Sequence, residues 1–407
     1  MTGPERFGRR KFLAGSLGGA ASEAFRLFSA SPRDSVQDRS ARPGRSVITR
    51  PLGRTGVELP VVSMGCVNTL EPALVERAFD LGVRHFDTAG GYARGLNEEM
   101  LGKAVKAIGR RNEVIIGTKS AVNLVGRSVE NVKKDFIRNA EASLRRLQTD
   151  YIDILDYHGA FASAELKHPG VLEALQTLKE RKKIRLAGFS THMNMAACIR
   201  AAVPLNFYDV ILTSFNYAYW DDSDLLAALE SAAAAGIGLI VMKTQCTQYV
   251  DRSFVRSKDQ LKYHQGKIMQ TAVLKWVLRH PFVTTAIPGF ATFEQMDEDF
   301  GVAYDLEYNE AEKKFLADRG VGFSLAYCLQ CGRCRPDCPH GVDVPVLMRT
   351  HMYAAKNSNL ILARETLDGI APESGPGGCS SCSACALRCP NGVDIAGRIE
   401  DLKMLYV

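Results

Sequence analysis

Eight cysteines lie within the last 80 residues and form two copies of one spacing pattern. In each copy three cysteines are separated by two residues, a fourth follows after three more, and a proline comes next. The first copy is Cys328, Cys331, Cys334 and Cys338, and the second is Cys379, Cys382, Cys385 and Cys389. Thiolates at this density bind iron or zinc, so the pattern indicates a metal centre near the C-terminus.

The spacing resembles that of bacterial ferredoxins, which bind two [4Fe-4S] clusters. In that pattern the first three cysteines of a copy bind one cluster and the fourth, next to proline, binds the other. The expected ligand sets are Cys328, Cys331 and Cys334 with Cys389, and Cys379, Cys382 and Cys385 with Cys338. Residues 339–344 and 390–395 continue the repeat, which indicates an internal duplication.

Two other uses of these cysteines are less consistent with the pattern. Zinc sites usually pair cysteines two by two, and a third cysteine after two residues adds nothing to four-coordinate zinc. Disulfides between such short loops close few useful rings.

The helical character of residues 344–357 and 360–367 predicts a mostly α-helical domain. The scattered Cys66, Cys198 and Cys246 are typical of small buried residues.

Upstream of the cysteines, short β-branched strands alternate with amphipathic helical segments. The predicted strands are 61–66, 84–88, 113–119, 151–158, 184–190, 209–215, 237–243 and 283–288. The clearest predicted helices are 72–81, 129–147, 171–181, 224–235 and 268–279. Buried strands separated by helices predict a parallel sheet, and eight such units favour a closed (β/α)8 TIM barrel. An open Rossmann sheet is disfavoured because no G-x-G-x-x-G loop follows the first strand.

Four candidate catalytic residues lie where a TIM barrel places its active site, at or just beyond the C-terminal ends of strands. Asp87, Lys119 and His158 end the second, third and fourth strands, and Tyr92 follows Asp87 in the next loop. A phenol with a pKa of about 10 becomes a better proton donor when a cation favours its ionised form. Lys119 can supply that cation, Asp87 can hold it, and His158 can orient a carbonyl oxygen. The group predicts carbonyl reduction by hydride transfer.

Successive motifs of this segment resemble those of the aldo-keto reductases. They are PLGRTG at 51–56, HFDTA at 85–89 with Tyr92, IGTK at 116–119, DILDYH at 153–158, GFS at 188–190 and IPG at 287–289. The resemblance covers about residues 47–305. It implies an oxidoreductase that uses a nicotinamide cofactor on a small carbonyl or alcohol substrate, with the four residues above as its catalytic tetrad.

The resemblance also implies a nucleotide site. Its expected contacts are Ser190, Phe215, Asn216, Gly289 and Glu298. Thr191 and Leu212 replace an Asn and a Gln of the family pattern, and neither position 289 nor 295 is a cation. A 2′-phosphate without Lys or Arg loses charge-assisted hydrogen bonds, so NADP(H) is not favoured and NAD(H) and NADP(H) both stay open.

The N-terminal segment contains a twin-arginine pattern, GRRKFL at 8–13, before a stretch of small residues. It resembles a Tat signal and predicts export of the folded protein to the periplasm. Glu23 and Arg26 interrupt the apolar run, so the alternative is a disordered basic leader on a cytoplasmic protein. We predict a leader and linker over 1–46, the barrel over 47–318 and the dicluster domain over 319–407.

Charge and hydropathy exclude two classes of partner. The net charge is +6, and the sequence contains no basic block interleaved with aromatic residues, which argues against nucleic-acid binding. The sequence also lacks a run of about 20 apolar residues, so it does not predict a membrane span. We expect an oxidoreductase whose clusters are auxiliary electron-transfer centres, with an electron-transfer protein as a further partner. A hydride carries two electrons and a cluster accepts one, and no flavin motif is visible. The alternative is therefore a non-catalytic barrel that senses nucleotide or redox state, with the cluster domain as a docking module.

Overall fold

The computed structural model describes residues 46–245, 269–317, 328–356, 359–379, 382 and 385–406. The twin-arginine segment, Cys246 and most of the loop between Thr244 and Lys267 lie outside these residues. The predicted boundary between barrel and cluster domain also lies outside them, so the predicted domain limits stay predictions. Gly44–Val407 forms one compact unit.

An antiparallel hairpin precedes the barrel, with strands β1 (Thr49–Pro51) and β2 (Glu58–Pro60). Its side chains Leu52 and Leu59 are fully buried and pack with the apolar side chains inside the barrel. The hairpin therefore closes the N-terminal end of the barrel. The sequence did not predict it, because three-residue strands carry too little alternation to be recognised.

Eight parallel strands form the central sheet, each hydrogen-bonded to the next in the chain. They are β3 (Met64–Gly65), β4 (His85–Asp87), β5 (Ile115–Ser120), β6 (Ile152–Tyr157), β7 (Ile184–Thr191), β8 (Val210–Ser214), β9 (Gly238–Met242) and β10 (Thr285–Ala286). A parallel bridge between Val62 and Ala286 joins the first strand to the last. The predicted TIM barrel is confirmed, and each of its eight strands overlaps a predicted one.

Helices surround the barrel on the outside. They are α1 (Pro72–Leu81), α2 (Leu96–Ile108), α3 (Val129–Leu147), α4 (Pro169–Glu180), α5 (Met195–Ala202), α6 (Ser223–Ala234), α7 (Gln270–Leu278), α8 (Phe293–Phe300) and α9 (Glu310–Ala317). The sequence gives α1 and α3 their observed bounds because their ends carry clear signals. Pro72 occupies the first turn of α1, and the Ser128 side chain accepts a hydrogen bond from Asn131 N at the start of α3.

The barrel interior has an apolar lower half and a polar upper half. The lower half contains Ile154, Val210 and Ile240, which pack on the hairpin leucines. The upper half holds the buried polar side chains of Asp87 and Lys119 near the C-terminal ends of the strands. This division places the chemistry at the end of the barrel opposite the hairpin, as expected for the fold.

The C-terminal region is mostly helical, as predicted. Its helices are α10 (Val344–His351), α11 (Leu360–Asp368) and α12 (Ile395–Tyr406), and a π-helical turn at Met352–Lys356 extends α10. Helices α10 and α12 begin at equivalent positions of the repeat. Asp343 accepts a hydrogen bond from Val346 N and Asp394 from Gly397 N, so the duplicated aspartates cap both helices.

This helical domain lies over the C-terminal ends of the barrel strands. Asn359 Nδ2 is 3.0 Å from Val67 O, in the loop after β3. Arg349 Nη1 is 2.8 Å from His192 Nε2, in the loop after β7. The cluster domain therefore covers the end of the barrel where the polar side chains lie. In the described part of the chain, every helix is too short or too polar to cross a bilayer.

The turn of the hairpin gives a test of how tightly it packs. Gly53 and Gly56 both have positive φ, +54° and +74°, but a Cβ on Gly53 would lie 2.3 Å from Gly236 O whereas a Cβ on Gly56 meets nothing. We expect Gly53→Ala to lower the free energy of unfolding by about 2 kcal/mol more than Gly56→Ala, measured by urea denaturation. Equal losses would show that the hairpin does not pack closely on the barrel.

Candidate active site and cysteine clusters

A buried ion pair links the ends of β4 and β5 inside the barrel. Lys119 Nζ is 2.5 Å from Asp87 Oδ2 and 2.6 Å from Thr88 O, and the residues Lys119 and Asp87 are only 2% and 6% exposed. Burial acts to lower the pKa of Lys119, but the neighbouring Asp87 raises it and the net shift is upward. The ammonium group therefore stays charged at neutral pH.

Tyr92 and His158 lie next to this ammonium group. Lys119 Nζ is 5.3 Å from the centroid of the Tyr92 ring, and the Tyr92 and His158 rings meet edge to face with centroids 6.0 Å apart. Burial raises the pKa of Tyr92 to about 12, although Lys119 acts to lower it. Burial, followed by the charge of Lys119, lowers the pKa of His158 to about 3. The structure thus brings the four predicted catalytic residues together, with a protonated phenol and a neutral imidazole at pH 7.

Two glycines make room for the polar side chains of this group. A Cβ on Gly117 would lie 2.9 Å from His85 Nε2, and a Cβ on Gly188 would lie 2.2 Å from Asp156 Oδ1. Asp156 pairs in register with Lys119, and burial raises its pKa to about 8, so its carboxyl group is protonated at neutral pH. The sequence analysis assigned no role to Asp156, although its motif was recognised.

The turn that carries Tyr92 is held by the cluster domain. Ala93 and Arg94 both have left-handed backbone conformations, with φ of +48° and +54°. Such a conformation costs about 1–2 kcal/mol per non-glycine residue. Arg94 N donates a 3.1 Å hydrogen bond to Glu365 Oε1 on α11. Glu365 is therefore a positioning residue for Tyr92, supplied from another part of the chain.

The predicted contacts to nicotinamide fit only in part. Ser190 lies at the mouth on β7, and its hydroxyl oxygen accepts a 2.9 Å hydrogen bond from Gly159 N, which leaves its proton free to donate. Leu212 belongs to the apolar lower half of the barrel. Two residues farther along β8, Ser214 has a buried hydroxyl without a partner among the described residues. Ser214 is the polar side chain of β8 nearest the mouth, and the sequence analysis passed over it.

Phe215 and Asn216 are not where the resemblance implied. Side chains alternate along β8, so Phe215 points outward, where its ring packs on Trp276 and His280 with centroids 5.3 and 5.1 Å away. Asn216 Nδ2 donates to Lys243 O and its Oδ1 accepts from Ala218 N, so its side chain is occupied in joining two loops. The structure does not bring either side chain to the catalytic group.

The expected nucleotide contacts Gly289 and Glu298 lie in the loop after β10 and in the helix α8 that follows it. Gly289 lies against the loop after β3, where a Cβ would come within 2.5 Å of Asn68 Nδ2. Glu298 is exposed on α8. This helix also carries Glu294, Asp297 and Asp299 and no lysine or arginine, so its charge is unfavourable for a 2′-phosphate.

The structure groups three cysteines of one motif with the fourth cysteine of the other, as the ferredoxin pattern implies. A cavity in the cluster domain is lined by Cys328, Cys331, Cys334 and Cys389, which is the first expected ligand set. Burial has the largest effect on the pKa of Cys379 and raises it, the charge of Lys403 lowers it, and the neighbouring Cys338, Cys382 and Cys385 raise it further. This is the second expected set. All ten cysteines that the structure describes are free thiols.

The surroundings of the first set suit a cluster. Gln330 Nε2 lies 3.2 Å from Cys328 Sγ, and Arg333 Nε lies 3.5 Å from Cys331 Sγ. N–H donors to the ligand sulfurs stabilise the charge of an iron–sulfur cluster and tune its potential. Among the described residues, no group of three or more His, Cys, Asp or Glu side chains surrounds one point as a single metal ion requires. The cluster assignment therefore rests on the motif, the cavity and the sulfur hydrogen bonds.

Four further side chains line the mouth and were missed from the sequence. They are His192, Lys243, Arg349 and Tyr353. His192 and Lys243 follow or end barrel strands, so the rule that located the catalytic group could have found them. Arg349 and Tyr353 come from the cluster domain, and nothing in their local sequence indicates that they reach the barrel. Burial, followed by the charge of Arg349, lowers the pKa of Lys243 to about 7.

Comparison with known proteins agrees with the fold and with the presence of a cluster domain. Residues 69–314 match the model of the aldo/keto reductase family, and residues 322–393 match that of a 4Fe-4S dicluster domain. The first match covers more than half of the chain. The protein belongs to the aldo/keto reductase family of oxidoreductases, and its C-terminal region matches a dicluster domain.

Individual relatives cover the barrel. L-galactose dehydrogenase of Arabidopsis thaliana is 28% identical over 298 residues, which are 66% of this chain and 92% of the relative. Among solved structures, the holo form of aldo-keto reductase AKR11C1 from Bacillus halodurans aligns with a TM-score of 0.54 and 21% identity, over 67% of this chain and 95% of its own. An aldo-keto reductase from Klebsiella pneumoniae in complex with NADPH aligns with a TM-score of 0.50 and 25% identity, over 67% and 94%.

Removal of the ammonium group tests the electrostatics of the site. Lys119→Met leaves Asp87 buried beside an apolar side chain, and we expect it to lower the free energy of unfolding by about 3–5 kcal/mol. The double variant with Asp87→Asn should recover part of that loss because an amide carries no charge. Urea denaturation of the three proteins measures the difference. A double variant no more stable than Lys119→Met would contradict the ion pair as the source of the loss.

Proposed function

We propose that the protein reduces a carbonyl group, or oxidises the corresponding alcohol, with a nicotinamide nucleotide. The observation that carries the proposal is the phenol of Tyr92 between the charged Lys119 and the neutral His158 at the mouth of the barrel. A carbonyl in this place has a proton donor and a positive field for the negative charge that develops on its oxygen.

Each residue of the group has a separate task. Tyr92 keeps its proton at neutral pH, because burial raises its pKa to about 12, and it donates that proton to the substrate oxygen. Lys119 stabilises the tyrosinate that remains, and Asp87 fixes the ammonium group in place. His158 has a pKa lowered to about 3, so a neutral ring N–H orients the substrate oxygen. When bound, the nicotinamide supplies the hydride that reduces the carbonyl carbon.

We propose NADH as the preferred nucleotide. Ser190 and Ser214 supply hydroxyl groups at the mouth that suit the carboxamide of nicotinamide. Asp297 is paired with Arg77 at 3.7 Å, and the exposed side chains of Glu294 and Glu298 leave α8 with a negative charge, which repels a 2′-phosphate more than a ribose hydroxyl. The aldo-keto reductase from Klebsiella pneumoniae was solved in complex with NADPH, so the proposed preference differs from the nucleotide in that complex.

We propose two [4Fe-4S] clusters, held by the two mixed cysteine sets, as auxiliary electron-transfer centres. When bound, such clusters exchange single electrons. A series of hydrogen bonds connects the first cysteine set to the active site. Gln330 bonds Cys328 Sγ through Nε2 and accepts from Arg349 through Oε1 at 3.3 Å, and Arg349 bonds His192. Such a connection suits a cluster that communicates with the barrel and with an electron-transfer partner.

The twin-arginine pattern supports a proposal about location. Tat export moves proteins that have already folded, which suits a chain whose clusters must be inserted before it leaves the cytoplasm. We therefore propose a periplasmic protein. Detection of the mature protein in a periplasmic fraction, and its loss when Arg9 and Arg10 are both replaced by lysine, would support this location.

Two phenols lie near Lys119, and their variants identify the proton donor. Tyr92→Phe should lower kcat for carbonyl reduction by about 100-fold or more, because general acid catalysis contributes on that order. Tyr353→Phe, the matched variant on the cluster domain, should lower it less than about tenfold. Steady-state rates with aldehydes and ketones, taken with NADH and with NADPH under anaerobic conditions, give the comparison.

The reverse order of the two variants would make Tyr353 the donor. A parent protein that binds nucleotide but turns over no carbonyl would favour a sensing barrel over the proposed enzyme. Higher kcat/KM with NADPH than with NADH would contradict the proposed cofactor preference.

The ligand sets can be tested by single cysteine substitutions. Anaerobically purified protein should contain about eight iron and eight sulfide per chain. Cys389→Ala and Cys338→Ala should each impair a different cluster, because the two fourth ligands cross between motifs. Electron paramagnetic resonance of the reduced proteins should therefore lose a different signal in each variant. Cys198→Ala, a buried cysteine remote from both motifs, is the control and should keep the full iron content.

Stoichiometric zinc with little iron in the parent protein would contradict the cluster assignment. Loss of the same signal from both variants would contradict the crossed ligand sets while leaving the clusters themselves in place.

A further inference from the structure

Two basic side chains at the mouth of the barrel, Arg349 and Lys243, have no acidic partner among the described residues. Arg349 makes its hydrogen bonds to neutral groups, His192 Nε2 at 2.8 Å and Gln330 Oε1 at 3.3 Å. Lys243 Nζ lies 5.6 Å from the centroid of the Tyr353 ring. Both side chains keep part of their surface exposed. Partly buried cations normally pair with carboxylates. Two basic side chains without a carboxylate partner among the described residues therefore need an explanation.

The acids nearest to the site are already occupied. Asp87 binds Lys119, and Asp156 lies next to the same ammonium group and is protonated at neutral pH. Neither balances Arg349 or Lys243. The ion pair contributes no net charge, so the side of the mouth formed by the cluster domain and β9 carries the charge of Arg349. Lys243, whose pKa is lowered to about 7 by burial and by Arg349, adds to that charge when it is protonated.

The geometry of Arg349 leaves part of its guanidinium group free for a ligand. The two hydrogen bonds use Nη1, and neither Nη2 nor Nε has a hydrogen-bond partner in the described part of the chain. Those two N–H groups form the fork that binds an oxyanion through two parallel hydrogen bonds. Because arginine can only donate, His192 Nε2 accepts and its imidazole is neutral. His192 therefore holds the guanidinium in place without competing for an anion.

We propose that Arg349 and Lys243 form an anion subsite beside the catalytic group, and that the carbonyl substrate carries a carboxylate or a phosphate ester. This proposal rests on the proposed function, because it names the substrate class of the same site. The charge of Arg349 acts on His158, and that of Lys119 acts on Tyr353, so the subsite and the catalytic group lie within electrostatic reach of each other. An anion bound at the subsite directs a nearby carbonyl toward Tyr92.

A rival explanation is that the two cations offset the negative charge of the first cluster. Other cations already act on its ligands, and Lys243 is itself an electrostatic neighbour of Cys328. Arg333 Nε is hydrogen-bonded to Cys331 Sγ, and the buried Arg398 is an electrostatic neighbour of Cys328 and Cys389. Arg349 reaches Cys328 only through Gln330, and it points to His192 in the barrel. This arrangement favours the mouth over the cluster as the place where Arg349 acts.

Ligand binding tests the subsite without requiring turnover. Calorimetric titration of the holoenzyme with benzoate, its neutral isostere benzamide and inorganic phosphate should show binding of the anions and at least tenfold weaker binding of benzamide. Arg349→Gln and Lys243→Gln should each weaken anion binding at least tenfold, and Arg349→Lys should keep part of it because the charge remains. Arg364→Gln, an exposed arginine paired with Asp368 on the same domain, is the control and should bind as the parent does.

Rates of turnover then show whether the anion of the substrate is a carboxylate or a phosphate ester. The parent should prefer 4-carboxybenzaldehyde over its neutral methyl ester, or glyceraldehyde 3-phosphate over glyceraldehyde, by at least tenfold in kcat/KM, and the preferred pair identifies the anion. Arg349→Gln should abolish that preference. Equal binding of benzoate and benzamide by the parent would overturn the subsite. So would variants that shift only the reduction potential of a cluster and leave anion binding unchanged. Anion binding without any turnover would count against the proposed function and leave the subsite standing.

Discussion

A charged ammonium group inside the barrel governs the architecture of this protein. Lys119 is almost completely buried, and its charge is tolerated because Asp87 Oδ2 and Thr88 O lie within 2.6 Å. The surrounding structure is arranged to keep that charge and to use it. Gly117 and Gly188 lack side chains where polar groups need room, and the hairpin leucines confine apolar contacts to the opposite end of the barrel. Burial keeps Tyr92 protonated and His158 neutral, and the charge of Lys119 opposes the first of these pKa shifts and adds to the second.

The cluster domain is part of the active site and not a separate appendage. It covers the mouth of the barrel, holds the strained turn after Tyr92 through Glu365, and contributes Arg349 and Tyr353 to the cleft. A barrel without this domain would have a wider and less positive mouth. The basic side chain of Arg349 at the mouth and the turn that carries Tyr92 therefore depend on residues more than 150 positions away from the motifs of Asp87, Tyr92, Lys119 and His158.

The resemblance to aldo-keto reductases predicts the positions of some site residues and not of others. The four residues that it predicts as catalytic lie together in the structure, because they are at or just beyond strand ends, where the barrel fixes their direction. The resemblance fails for Phe215, which faces the helices because side chains alternate along β8, and for Asn216, whose amide joins two loops. The nucleotide site is therefore expected to use Ser214 and Ser190, with an acidic helix where family members with a 2′-phosphate need cations.

The sequence by itself determined the strand–helix alternation, the catalytic group and the two cysteine motifs. Each is a local signal: hydrophobic periodicity defines an element, and ligand spacing within one short loop defines a metal site. Helix α3 is another example of a local signal, because its capping residue Ser128 immediately precedes it and its apolar stripe lies within the helix. Only the tertiary structure decided that the cluster domain covers the barrel and that Arg349 meets His192, 157 positions apart in the chain. Contacts of this kind depend on how two folded surfaces fit together, and no short stretch of sequence encodes that fit.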